Sequence, residues 1–315
     1  MSFLKYYIKL CENVDKFEPH ELSFQKFYSD PDLDNDPVHH YFHHNLAPKE
    51  PTQHHAENMN MYTEDSYATN DALWKNSIND TGISPFHANI IHHLTNMINH
   101  HTDAPKEDVH VLSGIKSDPT EWIKKGDEGN IIHAPSFTST TISPRTARSF
   151  SRTFTDYPST DGIHSTVNNR HVLKIHIKKG QKVGAYIREH SNFKAEAEFL
   201  VKPNVVLKLN KTPTTYENVS GSGGDHVIHD RIHVWDAHIM DDDELKKHAH
   251  HPEVEEYHKM KNKLSSMVME STEQSPHIKK PFILGIGNRE KKVIIEVPKK
   301  PFILGIGNRT RKEEK

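Results

Sequence analysis

Regular periods of apolar and polar positions begin near residue 70 and fade near residue 240. Upstream, Phe3 to Tyr28 has room for one or two short amphipathic helices. The run Asp30-Pro31-Asp32-Leu33-Asp34-Asn35-Asp36-Pro37 then breaks any period with prolines and turn formers, and the His-, Asn- and Pro-rich stretch to Met61 reads as loop. Asp71 stands as the cap of a helix carrying Ala72, Leu73, Trp74 and Ile78. Ser84-Pro85 reads as cap and first residue of a second helix, with Phe86, Ile90, Ile91, Leu94 and Ile98 at helical spacing.

Strand signals follow. Val109 to Ile115 is rich in β-branched residues and carries Gly114 near its end, which suggests a tight turn or a ligand close by. Ala134 to Ile142 mixes β-formers with a cluster of hydroxyls. Ser143-Pro144 opens a helix expected to run through Ala147, Phe150 and Phe154, with Arg145, Arg148 and Arg152 riding on it. The stretch from Asp156 to Asn169 is polar and reads as loop. His171 to Lys178 alternates, with Leu173, Ile175 and Ile177 on one face. Val183–Ile187, Val205–Leu209 and Ile232–Ile239 are further strands, and Ser220 to Gly224 is a flexible turn.

After Asp241 the chain becomes highly charged and helix-prone, with Pro252 interrupting it. The phrase Lys279 to Arg289 recurs word for word from Lys299 to Arg309. Two copies are too few for a solenoid, and the Gly-x-Gly within them lacks the strand-turn-helix setting of a nucleotide fingerprint. The expected organisation is a polar, helical extension over residues 1–70, a catalytic domain over 71–242 and a charged helical tail over 243–315.

Composition narrows the function. Hydrophobic residues make up 34% of 315, so the core is expected to occupy only part of the chain. A net charge of -3 implies no pull toward nucleic acid, and a single cysteine, Cys11, rules out an intrachain disulfide. No apolar run approaches membrane-spanning length, and Met1 to Leu10 lacks a signal-peptide core, so neither membrane nor secretion signal is expected. The 27 histidines fall in scattered pairs rather than at converging ligand spacings, so no metal is expected. The acidic run at 30–36 lacks the Gly and closing Glu of a calcium loop.

The chemistry concentrates around Glu196 and Glu198. In an extended strand, side chains two residues apart share a face, so the two carboxylates would meet one pocket while Ala197, Phe199 and Val201 face away. Paired carboxylates suit proton handling and the stabilisation of a developing cation.

Three pieces stand in order: a strand ending at Ser113-Gly114, the hydroxyl-bearing Phe137-Thr138-Ser139-Thr140-Thr141, and Glu196-x-Glu198 about sixty residues later. With Lys174-Ile175-x-Ile177-x-x-Gly180 between them and Phe199-Leu200-Val201 after them, this order resembles the mono-ADP-ribosyltransferases with an Arg, Ser-Thr-Ser, Glu-x-Glu signature. T-even-type bacteriophage members are the most similar in length and flavour. The likeness covers roughly Asp71 to Met240. It implies an α+β fold of two small, roughly perpendicular antiparallel sheets flanked by N-terminal helices, with NAD as co-substrate in the central cleft and no metal.

The resemblance also implies roles. Glu198 would steady the ribose as it loses nicotinamide, Glu196 would orient or deprotonate an acceptor guanidinium, and Ser139 would hold the catalytic Glu. Ser113, Gly114, Phe137, Thr140, Thr141, Arg148 and Phe154 would line the NAD site, with Phe150 and Tyr157 as other aromatic candidates. Phe193, in the loop Arg188 to Ala195, would contact the acceptor. Host proteins, by phage analogy RNA polymerase or translation proteins, would be the acceptors, in the cytoplasm of a host bacterium or after packaging in a virion. One departure stands out: where the family carries an arginine that grips the NAD phosphates, this chain has Ser113, and Arg145, Arg148 and Arg152 are candidate replacements. Two other readings follow from it, an inactive binding module of the same fold and an NAD glycohydrolase without a protein acceptor.

Overall fold

Short capping signals start most of the helices. Asp36 accepts from the Val38 N–H at 2.9 Å, and Pro37 occupies the first turn, where a missing N–H costs nothing, so α1 runs Pro37–Leu46. In α2 (Gln53–Glu64), Thr52 and His55 cap each other reciprocally at 3.3 Å. Ser66–Asn79 forms α3, and α4 (Pro85–His100) begins at the expected Ser84 cap. The computed structural model describes residues 21–30, 32–79, 82–116, 130–160, 163–221 and 226–273. Of the helices expected over Phe3 to Tyr28, the part before residue 21 lies outside them and the rest holds a 3-10 turn, Gln25–Phe27; the centre of the 220–224 turn and the duplicated phrase also lie outside.

The stretch read as loop up to Met61 is therefore helical. Pro37 starts a helix rather than breaking one, and the stretch's buried positions include His39, Asn45, His55 and Asn58, which dilute the apolar period. These helices belong to the main packing. Tyr41 and Phe42 of α1 join the largest core, where Phe42 meets Phe199 edge-on at 5.6 Å. Met59 and Tyr62 of α2 pack with Leu73 of α3 and with Ile90, Leu94 and Ile98 of α4.

The strands are β1 (Val109–Ile115), β2 (Asn130–Ala134), β3 (Thr138–Thr141), β4 (Thr153–Asp156), β5 (Ser159–Thr160), β6 (Ile163–Ile177), β7 (Gly184–Tyr186), β8 (Glu198–Val201), β9 (Val205–Leu209), β10 (Thr214–Gly221) and β11 (His226–Ile239). They pair in the order β2-β9-β11-β6-β1-β3-β8-β7, with β10 on β11 and with β4 and β5 on β6. The expected two sheets are thus joined by hydrogen bonds into one. The link between its halves is narrow, a single register pair, Leu112↔Thr141, between β1 and β3. The pairing is also not antiparallel throughout, since β6 and β11 run parallel over His226↔His164 to His238↔His176.

Two further elements differ from expectation. The helix after Ser143 is α5 (Pro144–Phe150) and ends before Phe154, which lies on β4. The polar stretch 156–169 contributes β5 and the first half of β6, held by polar cross-strand pairs such as Asn168 Nδ2 donating to Asp230 at 2.9 Å. Downstream, Asp241 and Glu244 cap α6 (Asp242–Lys247), and the helical run breaks before Pro252, as expected, with Pro252 opening α7 (Pro252–Glu273). Among the described residues, no helix is long and apolar enough to cross a membrane.

Candidate active site

Glu198 opens β8 opposite Thr141 of β3, and Leu200 lies opposite Ser139. Cross-strand partners share a face, so Glu198, Thr141, Ser139 and Leu200 point the same way. Leu200 on that face packs under α2 and α4 with Tyr62 and Phe137. Glu198 is only 4% exposed. Beside it the Tyr62 phenol lies within hydrogen-bonding reach of Ser139 and accepts from Asn70 Nδ2 at 3.1 Å. Burial first, and then the Glu198 charge, push the Tyr62 hydroxyl well above its ordinary range, so it stays a neutral donor. The Glu198 carboxyl is thus buried beside a phenol whose own position Asn70 and Ser139 fix.

Glu196 is placed differently from expectation. It ends a 3-10 turn, Lys194–Glu196, and Ala197 follows in the left-handed region with φ 47°. The two carboxylates therefore do not share the face of one strand. A kink separates them, with Glu198 buried and Glu196 half-buried on the turn. The turn is tied to β3, because Thr141 Oγ1 donates to the Glu196 carbonyl at 2.6 Å and the Ile142 N–H donates to that of Ala197 at 3.3 Å. Phe193, half-buried, leads into the turn, and the Asn192 N–H before it donates to Thr63 Oγ1 of α2 at 3.3 Å.

Several residues expected to line a cofactor site are engaged within the fold. Thr140 is fully buried and its hydroxyl donates to the Phe199 carbonyl at 2.5 Å. Thr141 spends its hydroxyl on the acidic turn and on the Ser143 N–H at 2.9 Å. Phe137 is fully buried, with its ring edge-on to Tyr62 at 5.3 Å. Ser113 is buried and donates to the Ser139 carbonyl at 3.2 Å, so it couples β1 to β3. At Gly114 the close neighbour is α5. An added Cβ would lie 2.3 Å from the Ala147 carbonyl oxygen and 2.6 Å from the Ser151 nitrogen.

The cations cluster around α5. Arg145 pairs with Asp30. Arg148 is half-buried with its guanidinium 3.7 Å from the centre of the Tyr28 ring, and its Nε is buried without a hydrogen-bond partner. Arg152 lies over Phe154 at 5.4 Å, and Phe154 in turn meets His171. Tyr157 is 77% exposed.

A further cation was not legible in the sequence. Arg170 of β6 donates to the Ser151 carbonyl at 3.1 Å, and burial followed by the neighbouring Arg148 charge hold it below its ordinary range. Register puts it on the Glu198 face. Thr141 pairs with both Glu198 and Leu112, Gly114 pairs with Val172, and Arg170 is two residues beyond Val172. Three strand spacings and four residues separate Arg170 from Glu198, roughly 20 Å between Cα atoms.

No curated protein matches the sequence significantly. Three solved structures resemble the fold. The Plx2a toxin of Paenibacillus larvae is 14% identical over 60% of this chain and 87% of its own, with a TM-score of 0.41. The C3 exoenzyme of Clostridium limosum is 12% identical over 69% and 98%, with a TM-score of 0.43. The Vis toxin of Vibrio splendidus is 17% identical over 74% and 87%, with a TM-score of 0.34. The expected phage-type relation is not among these three. A sequence model described as ADP-ribosyltransferase exoenzyme matches residues 41–228, well over half of the chain and starting some way upstream of where the sequence reading placed the likeness. By that match, this chain belongs to the ADP-ribosyltransferase exoenzyme family.

Proposed function

We propose that the chain transfers a single ADP-ribose from NAD to arginine side chains of host proteins, releasing nicotinamide. The observation that carries this reading is Glu198, buried at the start of β8 beside the Tyr62 hydroxyl that Ser139 also reaches. NAD supplies the ribose and its nicotinamide leaving group. The bond from ribose C1′ to the nicotinamide nitrogen breaks, its electron pair leaves with nicotinamide, and Glu198 faces the positive charge that grows on the sugar. An incoming guanidine nitrogen then bonds to C1′ and gives up its proton. Glu196, on the half-buried turn, is the group placed to take it. Phe193 flanks that approach.

The residues present suit the diphosphate even without the family's first-strand arginine. Arg148 and Arg170 stand close together, half-buried, despite their like charge, and Arg148 keeps an unpartnered buried Nε. Two guanidiniums held against repulsion favour an anion between them.

Incubating the protein with NAD and agmatine, a small guanidino acceptor, tests this reading through nicotinamide release and ADP-ribosyl-agmatine. Glu196→Gln is expected to cut transfer at least ten-fold while changing hydrolysis little, as loss of one positioned general base does. If hydrolysis and transfer fall together, Glu196 has no acceptor role. Arg170→Met is expected to raise the KM for NAD about ten-fold, the effect of one lost charge-assisted contact. An unchanged KM would remove Arg170 from the site. A pure binding module would show no nicotinamide release at all.

A further inference from the structure

Arg188 is one of the side chains that fasten the turn carrying Glu196. Arg188 Nε donates to the Lys194 carbonyl at 3.2 Å, across the loop that leads to Glu196. The same guanidinium is itself held from α1. Its Nη1 lies 3.0 Å from His39 Nε2 and 3.2 Å from Glu189, and its Nη2 lies 3.6 Å from Asp34. Arg188 is largely covered, with 18% of its side chain exposed, and His39 is 5% exposed. His39 Nδ1 lies 2.7 Å from the Tyr186 hydroxyl. Tyr186 is on β7, opposite Phe199, the residue after Glu198.

The chemistry of the groups decides the proton positions. Arginine only donates, so His39 Nε2 must accept. The single ring proton of a neutral imidazole then sits on Nδ1 and is donated to the Tyr186 oxygen. A protonated His39 would present N–H to N–H at Arg188 and lose that contact. The other charged or titratable groups around His39 are His40, His43 and Asp36 on α1, with Arg188 opposite. Burial, then Arg188, hold its pKa down to about 4, so the ring is neutral wherever the enzyme would work near neutral pH.

We propose that neutral His39 is a positioning residue for the acceptor side of the site, acting through Arg188 to fix the turn that bears Phe193 and Glu196. It touches neither NAD nor acceptor. This rests on the arginine-transfer reading above, because only that reading gives the turn an acceptor to meet. The turn has other ties, from Asn192 to Thr63 and Asn60 of α2, so losing the latch should loosen it without unfolding it.

His39→Ala is expected to raise the KM for agmatine about ten-fold, the scale on which small misplacements of a reacting group are felt, with NAD hydrolysis unchanged within two-fold. His39→Gln, whose amide can accept from Arg188 and donate to Tyr186, should restore most of the affinity. Amide hydrogen exchange across residues 189–196 should speed up in His39→Ala and return toward the parent rate in His39→Gln. Arg188→Met removes the other end of the latch while leaving α1 packed, and it should reproduce both effects if His39→Ala does not fold. Equal exchange rates in parent and variants would overturn the latch, and so would hydrolysis falling in step with transfer. If the parent protein releases no nicotinamide, the transfer reading fails by itself, and the positioning role with it, while exchange still decides whether the latch exists.

Discussion

Replacing Glu198 by glutamine is expected to slow nicotinamide release by about 10²- to 10³-fold, in the presence or absence of an acceptor. Glutamine keeps the volume of the side chain and one oxygen, so the change isolates charge. The expected loss follows from where the carboxylate sits: it is buried, it lies beside a Tyr62 hydroxyl that stays protonated, and it is next to Ser139. In such surroundings a fixed negative charge acts through little solvent and needs no reorganisation as the sugar becomes positive. The same burial gives the sign of the effect on stability. Burying an ionised carboxylate costs desolvation that a neutral amide does not, so the thermal midpoint should not fall. Nicotinamide release that survives Glu198→Gln in folded protein would remove this residue from the chemistry. The outcome separates site from scaffold, because Thr140, only one register pair away at Phe199, has its hydroxyl committed to a backbone carbonyl.

How much of this was legible beforehand depended on whether a residue's environment shows in its own side chain. The strands Val109–Ile115 and Val205–Leu209 and the helix starting at Pro85 were readable because aliphatic period and cap chemistry agree there. Helices α1 and α2 were not, because they bury His39, Asn45, His55 and Asn58 through hydrogen bonds and ring contacts rather than through aliphatic side chains. Tyr62 was lost with them, and with it the partner of Ser139. The polar ends of β6 and β11 pair through Asn168 with Asp230 and Thr166 with His226, so alternation of apolar residues had nothing to report, and Arg170 stayed hidden in that stretch. The Glu-x-Glu spacing misled for another reason. Alternation holds only along a continuous strand, and Ala197 at φ 47° breaks it where no glycine or asparagine announces a left-handed residue. Gly114 was noticed, but that a helix seats on its bare backbone is something only packing reveals.

That packing makes Gly114→Ala the stability variant with the largest expected effect. The added methyl would lie 2.3 Å from the Ala147 carbonyl oxygen, 2.6 Å from the Ser151 nitrogen and 2.7 Å from the Phe150 carbonyl carbon. All three are backbone atoms of α5 or its cap, so no side chain can swing aside, and the helix must lift as a unit. Overpacking of this kind costs about 1–3 kcal/mol, and a rigid neighbour puts it at the upper end. For a folded region of this size the thermal midpoint should drop by roughly 5 °C or more. Lifting α5 also moves Arg148 and the Ser151 carbonyl that holds Arg170, so the KM for NAD should rise in the same variant. Gly180→Ala is the control. Its φ of +83° makes alanine strained, yet nothing lies within 4 Å of the added methyl. It should cost about 1 kcal/mol and leave the KM for NAD alone. A Gly114→Ala protein that melts within a degree of the parent would show that α5 is not seated on β1 as described, and the guanidinium pair would lose the support that holds it toward Glu198.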